Sequence, residues 1–206
     1  MNWVTATLVG LGIGILTANC LVGQEPTGRY FVFLVSGEPA TDLPRDEVEK
    51  MQAQHLDNFR ALTEQGTLLA VGPCVDPEKK IRGIVVLRGK SKEAIEQLFV
   101  NDPFIAEGWM KLDVVSEGTT MGKLQPKFDP ATLEEVSIAV VRREDSWSEL
   151  NAEQQAQAWA EHKAWTAANF ADGTVGYAAE FPDDPQRLGV LILRANEKSI
   201  IALAAR

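Results

Sequence analysis

The sequence predicts an α+β protein made of two tandem β-α-β-β-α-β units, the first complete and the second cut short. Three observations carry that prediction. The first is self-similarity: Phe31-Val32-Phe33-Leu34 precedes a polar loop, a long helical stretch containing His55, and then Gly66. Adding 107 to each number lands on Ile138-Ala139-Val140-Val141, His162 and Gly173. Further along, adding 106 takes Gly83 to Gly189, Leu87-Arg88 to Leu193-Arg194 and Lys92 to Lys198, so one residue is lost in a loop. An offset held this long marks a duplicated unit. The second observation is the order in which apolar periods of two and of 3.6 alternate within each copy. The third is length, since 206 residues accommodate two small domains.

Residues 30–35 read as a strand. Pro44 to Gln65 reads as a helix, with Pro44 near its first turn and Gly66 as its C-terminal cap. Thr67 to Val75 and Ile81 to Arg88 read as a hairpin across the turn-rich Asp76-Pro77-Glu78-Lys79. Ser91 caps a second helix through Val100, and Trp109 to Ser116 closes the unit as a strand in which Met110, Leu112 and Val114 alternate with Lys111 and Asp113. This order is the ferredoxin-like pattern, with both helices on one face of a four-stranded antiparallel sheet. The opposite apolar face needs a cover, and a second sheet of the same kind supplies one, either within the chain as a pseudo-dimer or between chains as a homodimer.

Residues 117–135 hold Gly118, Gly122, Pro126 and Pro130 without clear periodicity and read as a linker. The second unit, 136–206, runs from a strand at Val136 through a helix over Asn151 to Ala171 and a hairpin of Thr174 to Glu180 and Leu188 to Arg194. Its last helix starts near Asn196. No fourth strand follows before Arg206, so the second sheet does without one, borrows one, or leaves an edge exposed.

The composition, 45% apolar and 24% charged, suits a globular core. A net charge of -9 with no Lys/Arg cluster excludes a nucleic-acid partner. Ahead of the first charged side chain, Glu25, residues Val4 to Gly23 form an apolar run broken only by Asn19 and Cys20. Its centre, Leu8 to Leu16, reads as the apolar region of a signal peptide spanning 1–23, which makes the protein exported, periplasmic or secreted. The absence of Lys or Arg from Met1-Asn2-Trp3 keeps an uncleaved anchor over residues 4–23 as the alternative. Removal of the leader leaves Cys74 as the one cysteine, a small hydrophobe in an apolar stretch with no disulfide to make.

Val48, Met51, His55, Phe59 and Leu62 share one face of the first helix. His55 thus stands in an apolar stripe, either as a satisfied core or interface histidine or as a titratable group sensitive to its surroundings. Asn101-Asp102-Pro103-Phe104 follows the second helix. Asp before Pro is often a cap alone, yet an Asp aimed at a His is also the usual way to fix its tautomer and raise its basicity. The helix around His162 is rich in Ala and Trp, which suits packing, with ligand stacking by Trp159 or Trp165 as the other use. Asp42, Asp46, Glu47 and Glu49 read as a solvated helix start. With no Gly-rich phosphate loop, metal-spaced His/Cys cluster or Gly-x-Ser-x-Gly elbow, neither a metal nor a nucleotide cofactor is expected.

Gln54-His55-Leu56 through Gly66, Leu68-Leu69, Gly72-Pro73, Gly83 and Asp102-Pro103-Phe104, taken with their spacing, resemble the YCII-related (YciI-like) family over residues 30–116, and more faintly over 136–206. The resemblance implies a ferredoxin-like unit that pairs as a dimeric α/β barrel, and a His/Asp pair in a cleft, here His55 and Asp102. His162 matches the family histidine, but the second copy ends before any Asp-Pro-Phe motif. One candidate site is therefore expected. Its expected use is acid-base chemistry on a small organic molecule, of lyase, isomerase or dehalogenase type. The alternatives are non-catalytic binding of a small molecule and an accessory envelope role for paired repeats.

Overall fold

Alternate residues of one strand, β1 (Gly28–Ser36), enter two different cores, and this double burial organises the molecule. The computed structural model describes residues 27–38, 43–124, 128–129, 131 and 133–194. The leader 1–23 with Cys20, and the last helix expected from Asn196, lie outside the described residues.

The first unit follows the expected order. The first helix, α1 (Arg45–Glu64), begins after Pro44, whose extended ψ of 150° and missing N–H suit the position before a first turn. It ends where Gly66 turns left-handed at φ +70°, with Gly66 N–H donating to Thr63 and Thr67 N–H to Leu62. That pair of bonds satisfies carbonyls the helix leaves open, in a backbone geometry glycine adopts without strain. The hairpin of β2 (Leu68–Pro73) and β3 (Ile81–Gly89) turns on the Asp76 carboxylate, which accepts from the N–H groups of Glu78, Lys80 and Ile81. Ser91 accepts from Ala94 N–H to start α2 (Lys92–Gln97), shorter than the stretch to Val100 expected from sequence. Leu98 to Asn101 turn instead and deliver Asp102 to the start of α3 (Pro103–Ala106), before β4 (Met110–Glu117).

The four strands form an antiparallel sheet in the order β2-β3-β1-β4. Tyr30, Val32 and Leu34 pack on one face with Phe59, Leu62, Ile95 and Phe99 of the helical side. Phe31 and Phe33 point the other way.

After β5 (Thr120–Met121) the chain forms β6 (Ser137–Arg142), α4 (Asp145–Glu149), α5 (Ala152–Ala171), β7 (Val175–Glu180) and β8 (Arg187–Leu193). Asn151 and Gln154 close a reciprocal capping box at the head of α5. The short α4 was not expected from the sequence. These strands make a second antiparallel sheet in the order β5-β7-β8-β6.

One expectation is corrected here: residues 117–135 are more than a linker, because they contain β5. Of the options open to the second sheet, it borrows a strand from ahead of the unit, and that strand lies beside β7, at the edge opposite β6, not beside β6 where a counterpart of β4 would pair. A two-residue strand is too short to show a period. Its close approach is written instead in Gly122, at φ +92°, where a Cβ would stand 2.5 Å from the Gly176 carbonyl oxygen.

The numerical offsets reappear in the pairing. Tyr30 faces Leu87, and adding 107 and 106 gives Ser137 and Leu193, which also face each other. Register shifts fall between Leu34 and Val35 and again between Val141 and Arg142, and between Leu68 and Ala70 and again between Val175 and Tyr177. Bulges bend and twist a strand locally, so the two sheets are shaped alike as well as ordered alike over these strands.

The helix-free face of the first sheet packs on the second sheet around Phe31, Phe33, Val86, Tyr177, Phe181 and Val190, all nearly solvent-free. The Phe181 ring lies 5.8 Å from that of Phe31 and 6.4 Å from that of Phe33. Arg187 also crosses between sheets, with a two-pronged contact to Asp113 at 2.6 and 2.9 Å and a second to Asp184. Its guanidinium sits 4.9 Å over the Phe33 ring.

A buried cluster joins the sheets elsewhere. The Tyr177 hydroxyl donates to Glu117 at 2.7 Å and accepts from Arg29 at 2.5 Å, while Arg29 Nε stands 3.1 Å from the same Glu117 oxygen. The Glu117 side chain is fully buried, and its other oxygen has no partner among the described residues. Burial pushes the carboxyl above its ordinary value of 4.5, against the opposing pull of Tyr177 and Arg29. The folded chain thus holds this proton more tightly than the unfolded chain. The associated stability is complete below the ordinary value and is lost as pH rises through the higher folded one. Glu117→Gln removes that loss. The stability difference, variant minus parent, is expected to rise as pH is raised above the ordinary carboxyl range when denaturant midpoints are compared. A difference that stays flat would refute the assignment.

Candidate active site

His55 occupies the expected position in the stripe Met51, His55, Phe59 and Leu62, all buried against the first sheet and its neighbouring turns. Val48, expected on that face, is partly exposed. Phe59 and Phe104 meet the imidazole edge to face at 4.5 and 5.3 Å. These rings leave the histidine 6% exposed.

Asp102 serves both of the purposes open to it. At the head of α3 its Oδ1 accepts from the Phe104 N–H at 3.1 Å, and Pro103 fills the first helical position, where a missing N–H costs nothing. That cap fixes the side chain and leaves Oδ2 for other work. Oδ2 lies 2.6 Å from His55 Nδ1, with the Asp102 side chain fully buried. A contact this short in a water-poor setting is a charge-assisted bond. It selects the tautomer with the proton on Nδ1, so the lone pair resides on Nε2, which no described residue engages. The same oxygen accepts from Asn58 Nδ2 at 3.4 Å.

The structure therefore brings together the two residues singled out from sequence, 47 positions apart. Asn58 was missed. Its signal was available, since it stands three residues after His55 and therefore beside it on the helix, but Asn is common on helix surfaces for many reasons.

His162 has a different environment. It is half-buried on α5, stacked against Trp159 at 5.0 Å and 14° and more loosely against Trp165 at 6.4 Å. The Thr166 hydroxyl, 3.5 Å from Nε2, is its polar neighbour, and among the described residues no aspartate plays the part of Asp102. Burial pushes its pKa down, opposed by the charge of Glu180. Cys74 is half-buried at the edge of the core between the sheets, and burial followed by the Asp76 charge pushes its thiol up. A raised thiol is less nucleophilic at neutral pH.

Residues 30–117 match the family model of the YCII-related domain. No curated protein matches the chain at a significant level. The solved structure of "Putative Chlorite dismutase TA0507" aligns with a TM-score of 0.53 at 7% identity, covering 86% of this chain and 84% of that one. At that identity the likeness is one of fold, a mixed α+β arrangement with antiparallel sheets. The 5-chloro-2-hydroxyhydroquinone dehydrochlorinase of Burkholderia phenoliruptrix AC1100, solved with 2,5-dihydroxybenzoquinone, aligns over 41% of this chain and 89% of its own. Its TM-score is 0.31 at 17% identity.

Proposed function

We propose that His55, oriented by Asp102, is the acid-base group of a site that transfers a proton to or from a small organic molecule, in a reaction of lyase, isomerase or dehalogenase type. The observation that carries this reading is the 2.6 Å contact between His55 Nδ1 and an Asp102 carboxylate already anchored by its cap. An imidazole held in one tautomer by a buried carboxylate presents its other nitrogen to the substrate, and the carboxylate balances the cation formed during the transfer. Nε2 takes the substrate proton and Asp102 balances the charge that appears. The aromatic rings of Phe59 and Phe104 exclude water from that exchange, which strengthens the electrostatic coupling between the pair.

The second part of the proposal concerns architecture. The equal offsets in sequence, in strand register and in the two register shifts support descent of both sheets from one duplicated unit, packed face to face as an internal pseudo-dimer. The described part of the second unit has His162 but no counterpart of Asp102, so the proposal assigns one proton-transfer site.

The test is a screen of small hydroxylated and halogenated organic compounds with the parent chain and with His55→Gln. Turnover that falls away in the variant supports the reading. Turnover unchanged by the variant overturns it, and a compound bound equally by both chains and never converted points to binding without catalysis.

A further inference from the structure

The cleft between α5 and the outer face of the second sheet takes no part in the His55 site. It encloses about 130 Å³ and is lined by Met121, Trp159, His162, Thr166, Ala178 and Leu191, with Lys163 and Glu180 also at its wall. We propose that this cleft is a second, independent binding site, for a single aromatic ring that carries a hydroxyl group.

Size is the first argument. An apolar cavity of about 150 Å³ admits benzene, so this cleft, open to solvent on one side, matches one ring and not two. Its capacity depends on Ala178, whose methyl group leaves space that a larger side chain would fill.

Shape is the second. Trp159 and His162, one turn apart on α5, hold their rings within 14° of parallel at 5.0 Å. The two rings are stacked, with Trp165 following His162 at 6.4 Å, and Trp159 as the end ring of that stack lines the same cleft as the aliphatic and thioether groups of Leu191 and Met121. A planar ring gains both offset stacking and contact with polarizable sulfur in such a slot. A puckered ring of equal volume loses the first.

Polarity selects the substituent. The Thr166 hydroxyl donates its proton to the His162 carbonyl at 2.9 Å and lies 3.5 Å from Nε2, so it leaves that nitrogen open to a closer partner. Burial favours the neutral imidazole, and in its tautomer with the proton on Nδ1 the Nε2 lone pair accepts from a ring hydroxyl. Glu180 adds a second acceptor to the same cleft, and its charge opposes a ring bearing a carboxylate. Lys163 has the reverse preference, so benzoate is the comparator that shows which of the two charges governs.

Phenol, benzoate and cyclohexanol are the probes, titrated against the full chain by calorimetry and saturation-transfer NMR. Phenol is expected to bind saturably with a Kd on the order of 0.1 to 1 mM, with the other two weaker by about tenfold. Trp159→Ala weakens phenol by about fivefold and Trp159→Phe restores most of it, because the ring face returns. Ala178→Leu fills the cleft and abolishes binding, which keeps the proposal testable if Trp159→Ala does not fold. His55→Gln leaves phenol binding unchanged, which separates this site from the proton-transfer site. Tighter binding of benzoate or cyclohexanol, or phenol binding insensitive to Trp159→Ala and Ala178→Leu, overturns the proposal.

Discussion

His55→Gln is expected to lower turnover of the site's substrate by about 10²- to 10⁴-fold, the usual contribution of a positioned acid-base group. Glutamine fills similar space and can still donate to Asp102, so the buried carboxylate keeps a partner while the titratable nitrogen is lost. Asp102→Asn removes the charge in another way. Asparagine also caps helices, so its carbonyl can keep the Phe104 N–H bond at the head of α3. Its amide nitrogen would then face His55 Nδ1 as a donor, favouring the wrong tautomer and withdrawing the negative charge that balances imidazolium. Turnover should fall by a comparable factor while far-UV circular dichroism stays unchanged. Because the pair acts as a unit, the double variant is expected to lose little beyond the worse single one. Losses that multiply would show that the two residues act separately.

Phe181→Ala is expected to cost about 3 to 5 kcal/mol, the range for truncating a fully buried phenylalanine. Phe181 is 1% exposed and meets Phe31 and Phe33 from the facing sheet, so the cavity opens on both sides of the contact between sheets. For a chain of this length that corresponds to a melting temperature lower by roughly 6 to 20 °C. The shape of the transition carries the stronger information. If the sheets share one core, the variant melts in a single transition at the lower temperature, by both tryptophan fluorescence and far-UV circular dichroism. Trp109 precedes β4 while Trp147, Trp159 and Trp165 belong to the part of the chain that holds the second sheet, so two separable transitions in the variant would show that the sheets unfold independently.

Much of this fold was legible in the sequence because local chemistry encodes it. Pro44 and Gly66 bracket α1, Asn151 and Gln154 start α5, and the turn at Asp76 divides a hairpin. Each acts over a few residues, where backbone preference and short-range hydrogen bonds decide the outcome. The end of α2 was less legible. Residues up to Val100 suit a helix, but the chain turns early to bring Phe99 into the core and Asp102 under α1. Burial of one phenylalanine outweighs a turn of helical propensity.

The candidate pair lies between these cases. A histidine in an apolar stripe and an aspartate before proline were each visible, and each had an ordinary explanation. What joined them was the 2.6 Å contact across 47 residues. Arg29, Glu117 and Tyr177 gave no warning at all. Their residue types are common at strand ends, and their burial exists because two sheets close over them.

The sequence by itself determined the main helices and strands of the first unit, the 107-residue spacing between like residues and the residue types available for chemistry, since periodicity and turn preference are local properties of the chain. The tertiary structure decided which oxygen of Asp102 meets His55, that β5 joins the second sheet at the edge beside β7, and that Glu117 is buried. Each of these depends on groups distant in sequence sharing one small, dry volume, and hydrogen bonds and charges gain their strength from that volume rather than from the residues alone.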